Sequence, residues 1–126
     1  MSSHPTNEPV LNYEPGSKHK SDLKNEIDKQ LKEILEIPCI VNGREVYTNN
    51  TVVQVVPHNH KHILANVHLA GKKEIKEACE SAVNAQTDWI ALGMEKRAQI
   101  FEKCAELLAN EWRMKINVST MLNQSR

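Results

Sequence analysis

The sequence predicts an α/β fold in which short β-hairpins are followed by a long helical segment. Three observations predict it. Asn42-Gly43 stands between two short apolar stretches, the usual pattern of a tight hairpin turn. The stretch TVVQVV, residues 51–56, is rich in β-branched residues, which favour strands. From Gly71 onward, apolar residues recur at helical spacing. The length of 126 residues suits one domain.

The first 20 residues carry three prolines and many polar side chains, which predicts an extended arm. Ser21 is the predicted cap of a first helix. Apolar residues at helical spacing continue that helix: Leu23, Ile27, Leu31, Ile34 and Leu35. Pro38 is expected to end it, because proline disfavours the helical conformation in the residue before it.

Two hairpins are predicted next. CIV and EVY flank the Asn42-Gly43 turn, and the strand 51–56 ends at Pro57. The stretch HILANVHLA, residues 62–70, alternates as a half-buried strand does. PHNHKH, residues 57–62, therefore stands at the corner between two paired strands. His68 lies on the polar side of the second strand, so we expect it at the surface.

Three helices are predicted after Gly71, with Gly93 and Asn110 as the breaks between them. Cys79 and Cys104 fall among apolar positions of the first two helices. We therefore expect both to be buried, inert thiols. The last helix ends at NQSR without a glycine cap, which is typical of a helix that has been cut short.

Composition excludes several classes of partner. Sixteen basic residues balance sixteen acidic ones, so the basic excess that usually selects nucleic acid or an anionic membrane is missing. No apolar run approaches the roughly 18 residues that span a bilayer. The first residues lack the features of a secretory signal or a mitochondrial transit peptide. The odd number of widely spaced cysteines predicts reduced thiols in an intracellular protein.

The histidines of PHNHKH raise the question of a metal site. On a strand, alternate residues lie roughly 6.6 Å apart, so two histidines can share one ion, whereas the outer two of three are roughly 13 Å apart. No acid lies nearby to orient such ligands. A hairpin corner with solvated histidines is the preferred interpretation. Zinc or nickel binding by His58, His60 and His62 remains the alternative.

The residues alone predict no active site. No G-x-G-x-x-G, G-K-[ST], G-x-S-x-G or H-E-x-x-H motif occurs. The acids of the second helix, Glu95, Glu102 and Glu106, alternate with basic residues as on a solvated face.

Several stretches nevertheless resemble a known family in the right order. NEPVLNYEPGS (7–17), IPCIVNGREVYT (37–48), VVQVVPHNHKHILANVHLA (52–70) and RAQIFEKCAELLANEWR (97–113) are similar to the amino-terminal part of the Δ1-pyrroline-5-carboxylate dehydrogenases. These enzymes, also called L-glutamate γ-semialdehyde dehydrogenases, belong to the aldehyde dehydrogenase superfamily. A tryptophan near Trp89 and an arginine near Arg97 recur in that superfamily.

The resemblance implies an aldehyde dehydrogenase-like parent fold of Rossmann type. Residues 1–20 would be its arm and residues 21–126 an incomplete amino-terminal part of its NAD-binding domain. It also implies NAD-dependent oxidation of glutamate γ-semialdehyde to glutamate in proline catabolism, in the mitochondrial matrix. The implied partners are the remainder of the enzyme chain and at least one further subunit.

The resemblance places the family's catalytic cysteine, its glutamate base and its cofactor-binding motifs beyond residue 126. Cys39, Cys79 and Cys104 lack the glycine-rich context of that cysteine. We therefore assign no catalytic, cofactor-binding or metal-binding residue, and expect an inactive amino-terminal fragment that binds no NAD by itself. The other possibility is a stand-alone module that docks on the full enzyme. Because the helices would lack the sheet they normally cover, we also expect a partly molten chain.

Overall fold

The computed structural model describes residues 7–125. It contains helix α1 (Lys18–Lys32), strands β1 (Leu35–Ile37), β2 (Cys39–Val41), β3 (Arg44–Val46), β4 (Thr51–Val56) and β5 (Asn59–His68), and helices α2 (Lys72–Ala91), α3 (Gly93–Ala109) and α4 (Arg113–Gln124). The predicted α/β fold class is confirmed. Residues 1–6 of the predicted arm lie outside the described residues, as does Arg126.

The first helix begins earlier and ends earlier than the sequence predicts. Ser17, not Ser21, is the cap, and its side chain accepts a hydrogen bond from the Lys20 N–H at 3.3 Å. The backbone is already extended at Glu33. Pro38 therefore does not end the helix, because the extended residues 33–34 and strand β1 precede it. Ile34 and Leu35, which were predicted to lie in the helix, instead precede and begin β1. This strand forms because it can hydrogen-bond to the edge of β5.

The larger sheet has the order β1-β5-β4. β1 runs parallel to β5, with Leu35 opposite Ala65 and Ile37 opposite Val67. β4 and β5 form the predicted antiparallel hairpin, with register irregularities between Gln54 and Val56. Between the parallel strands β1 and β5, the chain forms the β2–β3 hairpin and then β4.

The smaller sheet is the predicted β2–β3 hairpin. Asn42 and Gly43 have φ values of 52° and 70°, which is the conformation of a type I′ turn. The hairpin lies beside α2, and the Arg44 guanidinium contacts the Glu77 carboxylate at 2.9 Å.

The core lies between the larger sheet and two helices. Val56 and Leu64 of the β4–β5 hairpin pack with Val118 and Leu122 of α4, and α1 adds half-buried residues, namely Leu23, Ile27 and Leu31. α1 and α4 thus cover one face of the hairpin. α2 and α3 bury none of their residues. Within residues 7–125, none of the helices combines the length and the apolar composition that a bilayer crossing needs.

Candidate functional site

The histidine-rich corner is a hairpin turn, as the sequence predicts, but it is shorter than predicted. Pro57 and His58 form the turn, and β5 already begins at Asn59. Asn59 has no positive φ, so the turn does not use its tolerance of that conformation. His60 and His62 consequently belong to the strand, where His60 is exposed and His62 is half-buried.

The corner closes one end of an open apolar groove of 440 Å³ between α1, the β4–β5 corner and the end of α4. His58 and His62 both line this groove, but His60 does not. The Nδ1 atom of His58 lies 2.8 Å from the Ser125 hydroxyl. Among residues 7–125, no group of three or more histidine, cysteine or acidic side chains is arranged to hold a metal ion.

The structure assembles a different polar cluster, which the sequence did not reveal. His68 was expected at the surface, and this prediction is wrong, because its side chain is only 10% exposed. Its Nδ1 atom lies 2.9 Å from the Thr48 amide nitrogen and 2.7 Å from the Thr48 carbonyl oxygen. Its Nε2 atom lies 3.2 Å from Oε2 of Glu36. The ring of Tyr47 packs edge-on against the imidazole at 5.1 Å.

Glu36 of β1 is the acidic member of this cluster, which we call the His68 cluster: Glu36, Tyr47, Thr48, Asn66 and His68. The Asn66 amide donates to Glu36 Oε1 at 2.5 Å. This hydrogen bond is the main cause that lowers the pKa of the Glu36 carboxyl, and His68 adds to it. A hydrogen bond from the Tyr47 hydroxyl to the Glu45 carboxylate raises the pKa of Tyr47.

The cluster escaped prediction because Glu36 was assigned to the end of the first helix. Once residues 35–37 form a strand beside β5, Glu36 stands opposite Asn66. The short apolar stretch LEI, followed by a proline, was the signal available for a strand.

The three cysteines have different surroundings. Cys39 is half-buried, and its thiol donates to the His68 carbonyl oxygen at 3.2 Å. Cys79 and Cys104 are exposed. The prediction that both are buried is wrong, because the apolar sides of α2 and α3 on which they were placed remain uncovered in this chain.

The start of α2 does not offer a free cradle for a dinucleotide phosphate. At the start of α2, where backbone N–H groups would attract an anion, the Gly71 N–H already donates to the Glu74 carboxylate at 2.8 Å. That contact lowers the pKa of Glu74. A Cβ on Gly71 would lie 3.1 Å from the same carboxylate oxygen. The Glu74 carboxylate therefore occupies the place at the start of α2 that an anion would take.

Helices α2 and α3 expose an apolar surface. Along α2 and α3, several large apolar side chains are at least half exposed or nearly so: Ile75, Val83, Ile90, Met94, Ile100, Phe101 and Leu108. We call these residues the α2–α3 face. Trp89 lies beside it and packs edge-on against Phe101 at 6.4 Å, with the Arg97 guanidinium 5.9 Å from the Trp89 ring centre. Exposed patches of this kind usually mark an interaction surface.

Residues 46–125 match the model of the aldehyde dehydrogenase family. The chain is 36% identical over 122 residues to the mitochondrial Delta-1-pyrroline-5-carboxylate dehydrogenase of Dictyostelium discoideum, covering 97% of this chain and 22% of that protein. It is 38% identical to the human mitochondrial protein of the same name, covering 95% of this chain and 21% of the relative.

Solved structures agree with this match. The Delta-pyrroline-5-carboxylate dehydrogenase from Mycobacterium tuberculosis, bound with NAD, superposes with a TM-score of 0.91 at 33% identity, over 97% of this chain and 23% of that one. A Thermus 1-pyrroline-5-carboxylate dehydrogenase with bound NAD gives 0.87 at 19% identity, over 97% and 24%, which supports the fold alone. The chain spans about a fifth of the length of the curated relatives it matches.

Proposed function

Since this chain belongs to the aldehyde dehydrogenase family, we propose that it serves as the amino-terminal segment of an NAD-dependent dehydrogenase. That enzyme oxidises L-glutamate γ-semialdehyde, the open form of pyrroline-5-carboxylate, to L-glutamate. The reaction belongs to proline catabolism. We propose the mitochondrial matrix as its location, in keeping with the mitochondrial relatives of Dictyostelium and human.

One observation carries this proposal. The chain follows the Mycobacterium tuberculosis dehydrogenase over 97% of its length at 33% identity, so the likeness includes sequence as well as fold. The stretches that carry the resemblance in sequence extend from residue 7 to residue 113.

The role of the segment is structural. The His68 cluster holds the small hairpin on the sheet, and α1 and α4 close the core on one face of that sheet. The α2–α3 face is the surface on which the remainder of the enzyme packs. An edge-on pair such as Trp89 and Phe101 contributes about 0.5–1.5 kcal/mol beyond its burial once it is covered.

We propose no phosphate site for NAD in the described residues; at the start of α2 the Glu74 carboxylate already accepts from the Gly71 N–H. We therefore assign no step of the reaction to them, and we place cofactor and aldehyde binding in the remainder of the enzyme. Assembly into at least a dimer is proposed for the whole enzyme, in which this segment need not form the subunit contact.

A chimera tests the proposal. This chain replaces the matching segment of the Dictyostelium relative, and NADH formation is followed with glutamate γ-semialdehyde as the substrate. We expect activity within about tenfold of the parent enzyme, because each 1.4 kcal/mol of lost stabilisation costs about a factor of ten. Activity with short aliphatic aldehydes in its place, or an inactive but folded chimera, would contradict the proposal.

A matched pair of variants in the chimera tests the packing role. Phe101→Glu places a charge within the α2–α3 face, and Lys96→Glu changes an exposed position of the same helix. Phe101→Glu is expected to reduce the yield of active chimera at least about tenfold, because a buried unpaired charge costs several kcal/mol. Lys96→Glu is expected to leave the yield unchanged.

A second candidate function is favoured by the same exposed face. The chain would then be a stand-alone module that docks on the complete enzyme. Sedimentation of this chain with the complete Dictyostelium relative distinguishes the two. Stable binding to the intact enzyme supports the docking module, whereas the segment role requires the intact enzyme, whose own segment already fills that place, to exclude it.

A further inference from the structure

Two contacts of His68 exclude each other. The Thr48 amide nitrogen and the Thr48 carbonyl oxygen lie 2.9 Å and 2.7 Å from the same Nδ1 atom. An imidazole nitrogen is either a donor or an acceptor at a given moment. If Nδ1 carries no proton, it accepts from the Thr48 N–H, and its lone pair faces the carbonyl lone pairs. If Nδ1 is protonated, it donates to the carbonyl and repels the Thr48 N–H.

The other ring nitrogen decides which neutral form is present. Nε2 faces Oε2 of Glu36 at 3.2 Å, and an ionised carboxylate is only an acceptor. Nε2 must therefore carry a proton whenever Glu36 is charged. Neutral His68 then has a bare Nδ1, which accepts from the Thr48 N–H. Protonated His68 keeps the Glu36 contact and changes its Thr48 partner from the N–H to the carbonyl oxygen.

We propose that His68 is a protonation-dependent clasp between the larger sheet and the β2–β3 hairpin. The neutral ring holds the hairpin through the Thr48 N–H, and the charged ring holds it through the Thr48 carbonyl. Histidine ordinarily changes charge between about pH 5 and pH 8. When the imidazole gains a proton, its Nδ1 contact therefore changes from the Tyr47–Thr48 peptide group to the Thr48–Asn49 peptide group, just after β3.

The surroundings of the ring support a switch that is local. Glu36 of β1 faces Nε2, Tyr47 packs on the ring, and Glu45 acts only through the Tyr47 hydroxyl. The Cys39 thiol of β2 contacts the carbonyl of His68 and not its ring. Glu36 is thus the one charged side chain in contact with the imidazole among residues 7–125.

The clasped residue Thr48 follows β3, which contacts α2. Arg44 lies in β3 and contacts Glu77 of α2 at 2.9 Å. The clasp does not depend on the proposed enzymatic role, because it lies entirely within this chain.

Nuclear magnetic resonance of the full 126-residue chain, labelled with ¹⁵N, tests the clasp. At about pH 8 we expect the neutral ring as the Nε2–H tautomer. Between about pH 8 and pH 5 we expect the protection of the Thr48 amide against hydrogen exchange, corrected for intrinsic rates, to fall two- to tenfold, the factor that corresponds to one net hydrogen bond. The fall must follow the His68 ring titration.

Glu36→Gln gives a second, independent outcome. If the oxygen of the introduced side-chain amide keeps accepting from Asn66, its NH₂ group faces Nε2 of His68. The neutral ring then changes to the Nδ1–H tautomer, and the Thr48 amide loses its protection already at about pH 8. Glu33→Gln, at an exposed acid before β1, and His60→Gln, at an exposed histidine of β5, are the matched controls and should behave as the native chain does.

The proposal is wrong if the native ring is the Nδ1–H tautomer at about pH 8. It is also wrong if Thr48 protection does not change with pH, or if Glu33→Gln or His60→Gln alters it as much as Glu36→Gln does. A chain in which the Thr48 amide is unprotected at every pH also contradicts it, since the clasp then does not form.

Discussion

The sheet with α1 and α4 and the helical pair α2–α3 are both built from amphipathic sequence, yet they end up differently. The first region buries Val56, Leu64, Val118 and Leu122 in a common core. The second leaves the α2–α3 face in solvent. The apolar periodicity of a helix therefore predicts which side is suited to packing. It does not predict whether another element of the same chain packs against that side.

The contrast has a physical origin in the order of the elements. α1 precedes the sheet and α4 returns to it, so both reach the same face of the β4–β5 hairpin. α2 and α3 are joined directly at Leu92 and meet one another only over a small contact. Their remaining apolar side chains are those expected to lie against the rest of the enzyme.

The largest expected effect compares one substitution in the two regions. Leu64→Ala removes a side chain that is 7% exposed, and Leu108→Ala removes one that is 47% exposed. We expect Leu64→Ala to lower the free energy of unfolding by about 2–5 kcal/mol, because it leaves a cavity. Leu108→Ala should cost less than about 1 kcal/mol, since little of its contact is buried. Urea unfolding of both variants measures the difference, and equal losses would erase the distinction between the regions.

The next largest effect concerns the residue that caps the start of α1. Ser17→Ala removes the side-chain acceptor at the start of α1 and should cost about 1 kcal/mol. Ser21→Ala lies inside the first turn, where alanine is the better helix former by up to about 0.5 kcal/mol. Thermal unfolding of the two variants should give shifts of opposite sign. A larger loss of thermal stability for Ser21→Ala than for Ser17→Ala would favour Ser21 as the helix cap, as predicted from sequence.

A substitution in the α2–α3 face should change the self-association of the chain and not its free energy of unfolding. Val83→Glu places a charge at a side chain that is 68% exposed, so the free energy of unfolding should change by less than about 0.5 kcal/mol. Binding of a hydrophobic dye and self-association should both decrease, because the apolar patch is interrupted. Asn84→Glu, at the neighbouring exposed position outside the α2–α3 face, is the control for added charge. Equal dye binding in both variants would show that the face is already covered.

The smallest effect is the pH dependence of the packed region at Glu36. The pKa of this carboxyl in the folded chain lies below its ordinary value of 4.5, mainly because Asn66 donates to it. Its contribution to stability is present above the unfolded pKa and is lost as the pH falls through the folded pKa. The difference in melting temperature between the native chain and Glu36→Gln should therefore disappear as the pH falls below 4.5. Glu33→Gln should show no such change, and a difference that grows in acid would reverse the sign of the linkage.

The sequence was sufficient to predict those elements that depend on neighbouring residues in the chain. The Asn42-Gly43 turn, the strand 51–56, the break at Gly93 and the end of α3 at Asn110 all agree with the structure. Three expectations were wrong because they depended on tertiary contacts. β1 forms only beside β5, and His68 is covered only when Tyr47 packs on it. Cys79 and Cys104 are exposed because, among residues 7–125, no element covers the sides of α2 and α3 on which they lie.

The irregular pairing at the end of β4 affects how this chain meets other copies of itself. β4 is one of the two outer strands of the β1-β5-β4 sheet, and with its exposed Val52 and Val53 it resembles the strands from which intermolecular sheets grow. Register shifts between Gln54 and Val56 break the regular spacing of its backbone groups. A strand from another molecule therefore meets a regular ladder only along the first four residues of β4, residues 51–54, which limits the growth of ordered aggregates at this edge.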